Sequence, residues 1–139
     1  MAKPIALAKG IALAFPDVCK TPAPPGPPVP IPYPNIAQLG QASPVTDASG
    51  KAVLVGPSGD HVLLLDSEVS TSTGDEAGSA GGVKSGGTKG ACKLTQASNS
   101  VVYGPAAKGL VRFSDVTEQN DGNAIGIVLS AFPTVLVGD

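Results

Sequence analysis

The stretch FPDVCKTPAPPGPPVPIPYPN, residues 15–35, holds eight of the chain's 14 prolines, all between Pro22 and Pro34. Proline fixes φ at about −65° and has no backbone N–H, so the run over residues 22–34 can form neither a helix nor a central strand. Each residue before a proline is also driven towards extended geometry. The stretch therefore predicts a stiff, polyproline-like rod over residues 22–34 that reaches roughly 40 Å, at about 3.1 Å per residue.

Apolar residues alternate with prolines in the second half of this rod, at Val29, Ile31 and Tyr33. Such a segment can lay one apolar edge along a folded body. Ile31 and Tyr33 are therefore candidate partner-binding residues, and burial inside the chain's own fold is the alternative for them. On composition alone, the run is also compatible with a spacer or a ligand for an SH3-type domain. Its internal position and apolar flanks argue against a free linker.

Two motifs carry a resemblance to a known family. Residues 15–35 and the stretch STGDEAGSAGGVKSG, residues 72–86, resemble the PAAR-like proteins associated with type VI secretion, and the ending TVLVG, residues 134–138, is more loosely similar. These are small tip proteins of a contractile injection machine. The resemblance covers most of the chain. It implies an all-β fold, small, irregular and conical, with short strands, approximate three-fold character, extended Pro- and Gly-rich segments and little helix.

Length and composition are consistent with one small-residue domain. The 139 residues predict a single domain, residues 1–139, with no appended effector domain. Gly and Pro together make 32 residues, there is no Trp, and only five aromatic residues are present. The hydrophobic content rests on Ala, Val and Leu. A core of this kind needs closely spaced layers of backbone, unlike the thicker core and pocket of an ordinary enzyme.

Charge and hydropathy exclude several classes of partner. The net charge is −2 and no Lys/Arg cluster is present, so neither nucleic-acid binding nor a polybasic membrane anchor is predicted. No run of 18 apolar residues is available to span a bilayer. Lys9 and Gly10 divide the apolar N-terminal stretch into pieces too short for a secretory signal.

The pattern along the chain predicts short strands separated by turns. Residues 5–15 predict an extended segment or a short strand pair, residues 36–46 a loop, and residues 47–50 a turn. A hairpin is predicted from residues 52–55 and 61–65, turning at Pro57–Gly59. Residues 74–90 carry seven glycines. A flexible loop is one interpretation, and the resemblance favours an ordered, irregular segment packed against neighbouring chain.

The β-pattern returns after Cys92, and no segment has a sustained helical period. Asn120–Gly122 predicts a tight turn between two of the later strands. The predicted strands cover residues 100–103, 110–113, 124–129 and 134–137.

A weak internal repeat links three of these strands. The stretches KAVLVGP (residues 51–57), NSVVYGP (99–105) and PTVLVGD (133–139) align without gaps. Their unequal spacing excludes a solenoid. Three similar strands suit a body with approximate three-fold character, and coincidence among Val-rich strands is the alternative.

No catalytic constellation is present. His61 could be combined with several serines, but there is no G-x-S-x-G elbow. Asp75 and Glu76 are adjacent carboxylates, which on an extended chain point in opposite directions. The glycines that follow contain no G-K-[ST] phosphate loop. The sequence therefore predicts a protein that is not an enzyme.

The metal-ligating residue types are few. Cys19 and Cys92 lack C-x-x-C spacing, so they could pair, ligate a metal or be plain buried thiols, and buried thiols are expected. The resemblance implies a zinc near the apex, built from several histidines and a cysteine. This chain offers only Cys19, His61 and Cys92, whereas structural zinc takes four ligands. Gln119 stands where related sequences can have histidine. An apex held by packing and backbone hydrogen bonds is therefore expected, and a structural zinc with these three weak candidates and a carboxylate as the fourth ligand is the alternative; no other cofactor is predicted.

The preferred functional hypothesis follows from the resemblance. It implies a cap, one copy per spike, on a trimeric VgrG-like spike protein, which could load a separately encoded effector or its chaperone and touches the target membrane transiently. Assembly in the bacterial cytoplasm and release by the machine, without a signal peptide, are expected. A Pro-rich adaptor that presents residues 22–34 to a peptide-recognition domain is the alternative. A small hydrolase is the third and weakest hypothesis.

Overall fold

The computed structural model describes residues 1–42 and 51–139, which form short β-strands and one turn of 3₁₀ helix, Leu39–Gln41. Within these residues we find no helical segment with the length and apolarity that crossing a bilayer requires. The strands are β1 (Lys3–Ile5), β2 (Ile11–Thr21), β3 (Val29–Gln38), β4 (Leu54–Val55), β5 (Asp60–His61), β6 (Glu68–Val69), β7 (Cys92–Leu94), β8 (Val102–Tyr103), β9 (Lys108–Gly109), β10 (Val116–Gln119), β11 (Ala124–Val128) and β12 (Phe132–Val137). The all-β prediction is confirmed.

A six-stranded antiparallel sheet carries the proline-rich stretch at its edge. Its strand order is β3-β2-β11-β10-β7-β6. Pro30, Pro32 and Pro34 lie on the edge strand β3, where a missing N–H leaves no ladder hydrogen bond unmade, and the other five prolines of the run precede this strand. The prediction that this run avoids helix and central strand is therefore correct.

The predicted continuous rod is wrong. A turn at residues 23–26, closed by a hydrogen bond from Gly26 N to Ala23 O, divides the run. Only the second half, from Val29, is extended, and it folds back along β2 with Thr21 opposite Val29 and Ile11 opposite Gln38. The stretch closes a hairpin because Gly26 interrupts the prolines.

The loop predicted for residues 36–46 is also partly wrong. Residues 36–38 complete β3, and Ile36 in addition bridges to Thr73. Residues 39–41 form the 3₁₀ turn. The remainder of that loop and the turn predicted at residues 47–50 lie outside the described residues, except for Ala42, which is buried.

Three two-stranded sheets repeat one geometry. They are the pairs β12–β1, β4–β5 and β8–β9, and we call them the three hairpin units. Their registers are equivalent, with Leu136 opposite Pro4, Leu54 opposite His61, and Val102 opposite Gly109. The three strands identified as a repeat in the sequence are the first strand of each unit. In one unit the chain's two ends supply the two strands.

The segment that follows the second strand of each hairpin unit is part of a closed ring of three segments. The ring segments are residues 5–7, 62–64 and 110–112, and their isolated bridges are cyclic: Leu7 with Val62, Leu64 with Leu110, and Arg112 with Ile5. Hydrogen bonds follow the same cycle, from Ala8 N to His61 O (2.7 Å), Leu65 N to Gly109 O (2.9 Å), and Phe113 N to Pro4 O (2.8 Å). The approximate three-fold character is therefore a property of the structure. The strand predicted at residues 110–113 is present only as these bridges.

The ring separates two hydrophobic cores. The middle residues of the ring segments, Ala6, Leu63 and Val111, enter the first core, beneath the six-stranded sheet. The flanking positions Ile5, Leu7, Val62, Leu64 and Leu110 enter the second core, against the hairpin units. Side chains that alternate along an extended segment point to opposite faces, so one segment serves both cores.

Arg112 occupies the sixth flanking position and is buried with ionic partners. Its Nε donates to Asp115 Oδ2 at 3.0 Å, and its Nη1 donates to Gly138 O at 3.3 Å. Asp115 also accepts from Lys3 Nζ at 3.0 Å. The Arg112–Asp115 pair thus holds both ends of the chain, which form the one hairpin unit that lacks a connecting turn.

The remaining predictions are largely confirmed. The hairpin predicted from residues 52–65 is the β4–β5 unit, with shorter strands. The turn at Asn120–Gly122 connects β10 to β11, with positive φ at all three residues. Strand β10, Val116–Gln119, was not predicted. The ordered glycine segment is confirmed, since residues 74–90 contact β2, β3 and the β10–β11 turn through several of their glycines.

Candidate functional site

A set of exposed apolar side chains on the hairpin units and a buried polar cluster between β2 and the glycine segment are candidate functional features of this fold. The first set is Leu54, Val102 and Leu136, which we call the apolar trio. Their side chains are 54%, 46% and 61% exposed, and they occupy the same register position in the three units. The fold therefore presents one large aliphatic group at each of three pseudo-equivalent places.

The buried polar cluster gathers side chains from distant parts of the chain. Asp17 and Cys19 point inward from β2 because a register irregularity between Ala14 and Asp17 resets the alternation of that strand. The other members come from β3, from the glycine segment, from the end of β10 and from the β10–β11 turn. The full set, which we call the polar cluster, is Asp17, Cys19, Asn35, Asp75, Gln119, Asn120 and Asn123, and every member is buried.

Asp17 is the centre of the polar cluster. Its Oδ2 accepts from Asn35 Nδ2 at 3.0 Å. Its Oδ1 accepts from Asn120 Nδ2 at 3.2 Å and from Asn123 Nδ2. Three amides thus satisfy a carboxylate that has no contact with water, which is the condition for burying such a group.

Gln119 supports the cluster from behind. Its Nε2 donates to Asn35 Oδ1 at 2.8 Å and to Asn35 O at 3.0 Å, while its Oε1 accepts from Thr117 Oγ1 at 3.1 Å. These bonds fix the amide of Asn35 so that its nitrogen faces Asp17. Gln119, which stands where related sequences can have histidine, therefore supports Asn35 through hydrogen bonds.

Asp75 enters the cluster from the glycine segment. Both of its carboxylate oxygens accept from Lys89 N, at 3.1 and 3.2 Å. The neighbouring Glu76 is exposed and turns back to accept from Gly74 N at 2.8 Å. The prediction that these adjacent carboxylates point apart is confirmed.

Burial and neighbouring carboxylates raise the pKa values of Asp75 and Cys19. Burial, together with a hydrogen bond shared with Asp17, raises the pKa of Asp75 to about 6. Burial and the two neighbouring carboxylates raise the pKa of the Cys19 thiol to about 12. Since a thiolate is the reactive form of cysteine, Cys19 is a poor nucleophile at neutral pH.

The polar cluster could hold a metal ion but does not fit a structural zinc. Asp17, Cys19 and Asp75 each offer one ligand atom, and these atoms lie within 4.8 Å of one another. Structural zinc takes four ligands, mostly nitrogen and sulfur. Here only one ligand is sulfur, and the amide nitrogens of Asn35, Asn120 and Asn123 donate hydrogen bonds to Asp17. Amide N–H groups facing the carboxylate occupy the lone pairs that a zinc ion would need.

The predicted ligand candidates are distributed over the fold. Cys19 belongs to the polar cluster, whereas Cys92 lies on β7 in the first core, and both are free, buried thiols, as expected. His61 lies on β5, and its Nδ1 is buried without a hydrogen-bond partner among the described residues. The metal-like grouping around Cys19 contains neither His61 nor Cys92.

The two predicted partner-binding residues lie on the edge strand β3. Ile31 is exposed, opposite Cys19 in the ladder. Tyr33 is half-buried, and its hydroxyl is 2.6 Å from Thr21 Oγ1. Neither belongs to the hairpin units that carry the apolar trio.

Sequence reasoning missed most of the polar cluster. Asp17 and Asp75 lie inside the two quoted motifs, Asn120 begins the predicted turn and Asn123 directly follows it, but nothing in their spacing links the three stretches. The available signal for the polar cluster in the sequence was that several Asn and Asp residues lie next to apolar strands. Such residues are more often turn formers than buried network members.

Comparison with known proteins identifies the family. A family model described as the toxin PAAR-like domain matches residues 10–126, which include the polar cluster and both ring segments from the middle of the chain. No significant match to a curated protein or to a solved structure was found. The matched region covers well over half of the 139 residues and includes both motifs that carried the resemblance. The chain therefore belongs to the toxin PAAR-like domain family.

Proposed function

We propose that this protein is a structural tip that caps and sharpens the trimeric, VgrG-like spike of a type VI secretion or related contractile injection system. Family membership supports a role related to the spike tip. The single observation that carries the finer proposal is the pseudo-three-fold arrangement of the hairpin units with one exposed aliphatic residue on each.

The symmetry provides the docking argument. A trimer presents three identical surfaces around one axis, and a single asymmetric chain can meet all three only if it repeats its own contact three times. Leu54, Val102 and Leu136 supply such a repeated contact at equivalent register positions. One copy of the chain per trimer follows from this match.

The proposed function of the tip is mechanical. Rigidity comes from the proline-bearing edge strand, from the two cores joined by the ring, and from a saturated polar cluster. Members of the family are structural rather than catalytic. We therefore assign the protein no reaction, and propose that it aids the piercing of a target envelope in transient contact with the membrane.

The remaining parts of the proposal concern delivery. The chain acts as one tip domain over residues 1–139, is assembled in the bacterial cytoplasm, leaves through the injection machine, and loads a separately encoded effector or its chaperone. The adaptor hypothesis is less well supported, because Val29–Gln38 is paired along β2 and is not free to enter a peptide-recognition groove.

The test is complex formation with a trimeric spike protein encoded in the same genome. We expect light scattering to give one copy per trimer for the wild-type chain. The single variants Leu54→Asp, Val102→Asp and Leu136→Asp should each weaken binding by a similar factor, roughly tenfold or more, because each places a charge in an apolar contact. Ile125→Thr, an exposed apolar residue elsewhere, is the matched control and should bind normally.

Circular dichroism should show that all variants fold, since the replaced side chains are exposed. Absence of binding to every spike in the genome, or normal binding by all three trio variants, would contradict the proposal.

A further inference from the structure

The outer face of the six-stranded sheet has an apolar half that the described residues leave uncovered. On β11 the inward residues Ala124, Gly126 and Val128 are buried, and the outward residues Ile125 and Ile127 are exposed. Leu13 lies directly opposite Ile127 on β2, and Phe15 follows on the same strand. Phe15 and Ile125 are 65% and 63% exposed.

The other half of the same face is built differently. Glu118 on β10 lies opposite Ile125 on one side and Lys93 on the other, and Lys93 lies opposite Glu68. These three exposed residues alternate in charge across three strands. Opposite charges on directly facing positions are the ordinary pattern of a solvated sheet face. The large aliphatic residues next to them depart from that pattern.

Two adjoining cavities turn the apolar half into a groove. One, of about 420 Å³, is lined by Phe15, Val18, Val83, Lys84 and Ile125 among others. The second, of about 320 Å³, is lined by Leu13, Phe15, Val116, Ile125 and Ile127 among others. Phe15 and Ile125 line both, so the two cavities adjoin each other across these two side chains. We call this the sheet groove.

The size of the patch argues against a second copy of the chain. The exposed parts of Phe15, Val83, Ile125 and Ile127 amount to roughly 400 Å², taking about 200 Å² for a fully exposed large side chain. A stable symmetric interface buries about 800 Å² on each partner. Residues 43–50 contain only Val45 as a large aliphatic residue, too little to fill the groove.

The backbone around the groove argues against an added strand. The nearer edge of the sheet is β3, whose prolines at positions 30, 32 and 34 cannot donate to a new ladder. The described residues contain no α-helix to form the second layer that an apolar sheet face normally packs against. A helix from another protein would supply that layer.

One charged side chain in the groove, that of Lys84, would set the orientation of such a helix. Lys84 lines the first cavity, is exposed, and forms no ion pair with a described residue. The second cavity has no charged lining residue. A partner helix with a carboxylate at one end of its apolar stripe would place that carboxylate beside Lys84.

We propose that the sheet groove binds an amphipathic helix of a second protein, with an aliphatic stripe over Phe15 and Ile125 and an acidic residue at Lys84. The proposal does not depend on spike capping, because the groove and the apolar trio lie on different sheets. A tip with both surfaces can hold a spike and a helical cargo at the same time.

The test uses a designed probe with the full-length chain. The probe is a fluorescent 20-residue helical peptide with one Leu/Ile stripe and two Glu in its first turn, compared with a scrambled peptide of equal composition. We expect fluorescence anisotropy to give micromolar binding for the striped peptide and at least tenfold weaker binding for the scrambled one. Ile125→Thr and Phe15→Thr should each weaken striped-peptide binding at least tenfold.

A charge exchange tests the orientation. Lys84→Glu should weaken binding of the striped peptide, and a peptide with Lys in place of the two Glu should restore it. Leu136→Thr, from the apolar trio, is the control and should leave peptide binding unchanged.

Three results would overturn the proposal. One is equal binding of the striped and scrambled peptides, or no binding of either. Another is a dimer in light scattering that Ile125→Thr converts to a monomer, which would assign the groove to a second copy. The third is loss of spike binding in Ile125→Thr, which would make the groove the spike contact. Failure of spike binding alone, with peptide binding intact, would leave this inference standing.

Discussion

At the scale of single residues, the buried hydrogen bonds of the polar cluster contribute to the rigidity of the protein. Asp17 accepts hydrogen bonds from the amides of Asn35, Asn120 and Asn123, whereas Asp75 accepts from Lys89 N–H and from the Cys19 thiol. Burial is the main cause of the raised pKa of Asp75, about 6, and the hydrogen bond shared with Asp17 adds to it. Two carboxylates in a shared, buried site commonly hold one proton between them.

Replacement of Asp75 by Asn should reduce the dependence of stability on pH. Because its pKa is raised in the folded state, the stability contributed by Asp75 is present below its ordinary pKa and is lost as pH rises through about 6. The decrease in unfolding free energy between pH 5 and pH 7.5 should be about 1 kcal/mol smaller in Asp75→Asn than in wild type. Urea denaturation at the two pH values measures this.

Glu76→Gln is the matched control, because hydrogen bonds from its own backbone N–H and that of Gly74 lower the pKa of this exposed neighbour. It should keep the wild-type difference between pH 5 and pH 7.5. EDTA should leave the wild-type midpoint unchanged. A lower midpoint in EDTA, together with loss of stability in Asp75→Asn at both pH values, would instead indicate a metal site.

At the scale of elements, the glycine segment is tightly packed because its backbone touches the polar cluster directly. A Cβ at Gly78 would lie 2.3 Å from Cys19 Cβ and 3.2 Å from the ring of Tyr33, and one at Gly82 would lie 2.5 Å from the Asn123 side chain. Close approach of backbone to neighbouring side chains is what glycine permits. The glycines of this motif are therefore a packing requirement.

Gly78→Ala should destabilise the protein by about 1–3 kcal/mol, since the added methyl group overpacks a buried site. Gly87→Ala is the control from the same segment, because its Cβ would meet nothing closer than Asp121 Oδ2 at 4.0 Å. Neither glycine has a positive φ, so the comparison isolates packing. Thermal unfolding of both variants tests it, and equal melting temperatures would contradict the packing explanation.

At the scale of the whole molecule, the ring of three segments joins parts of the chain that are far apart in sequence. In each unit the N–H of the last ring residue is capped by a side-chain oxygen: Leu7 by Ser130, Leu64 by Ser67, and Arg112 by Asp115. Only the third is ionic. It lies beside the unit made from the two chain ends, where no turn connects the strands.

Loss of the Asp115 carboxylate should therefore open this unit. Asp115→Ala leaves Arg112 buried without its main counter-charge, which should cost about 3–5 kcal/mol of unfolding free energy. The double variant Arg112→Leu/Asp115→Ala should recover most of that loss, because leucine occupies the equivalent ring position in both other units. Urea denaturation of the single and double variants measures the coupling.

The exposed pair Asp66–Lys108 provides the control for a simple charge effect. Asp66→Asn should cost no more than about 1 kcal/mol, because asparagine tolerates the positive φ of this position and Lys108 remains solvated. If the costs of Arg112→Leu and Asp115→Ala were additive, the proposed coupling between them would be refuted.

The sequence by itself determined what depends on local backbone chemistry. Prolines without N–H groups excluded residues 22–34 from helix and sheet interior, Gly- and Asp-rich turns placed the β4–β5 hairpin and the β10–β11 turn, and the lack of a helical period excluded helices. The aligned strands VLVG, VVYG and VLVG carried the three-fold repeat, and the two motifs carried the family. These features are readable because each is decided within a few residues.

Only the tertiary structure decided which distant residues meet. The ring is closed by single bridges between segments about 50 to 110 residues apart, and no local pattern encodes such a pairing. The polar cluster brings together residues from positions 17 to 123, and their burial depends on the backbone irregularity in β2 and on the contact with the glycine segment. Likewise, the outward residues of β11 could be identified as part of the sheet groove only once its inward residues were known. Long-range packing selected these contacts because it buries the apolar surface that local segments could not bury alone.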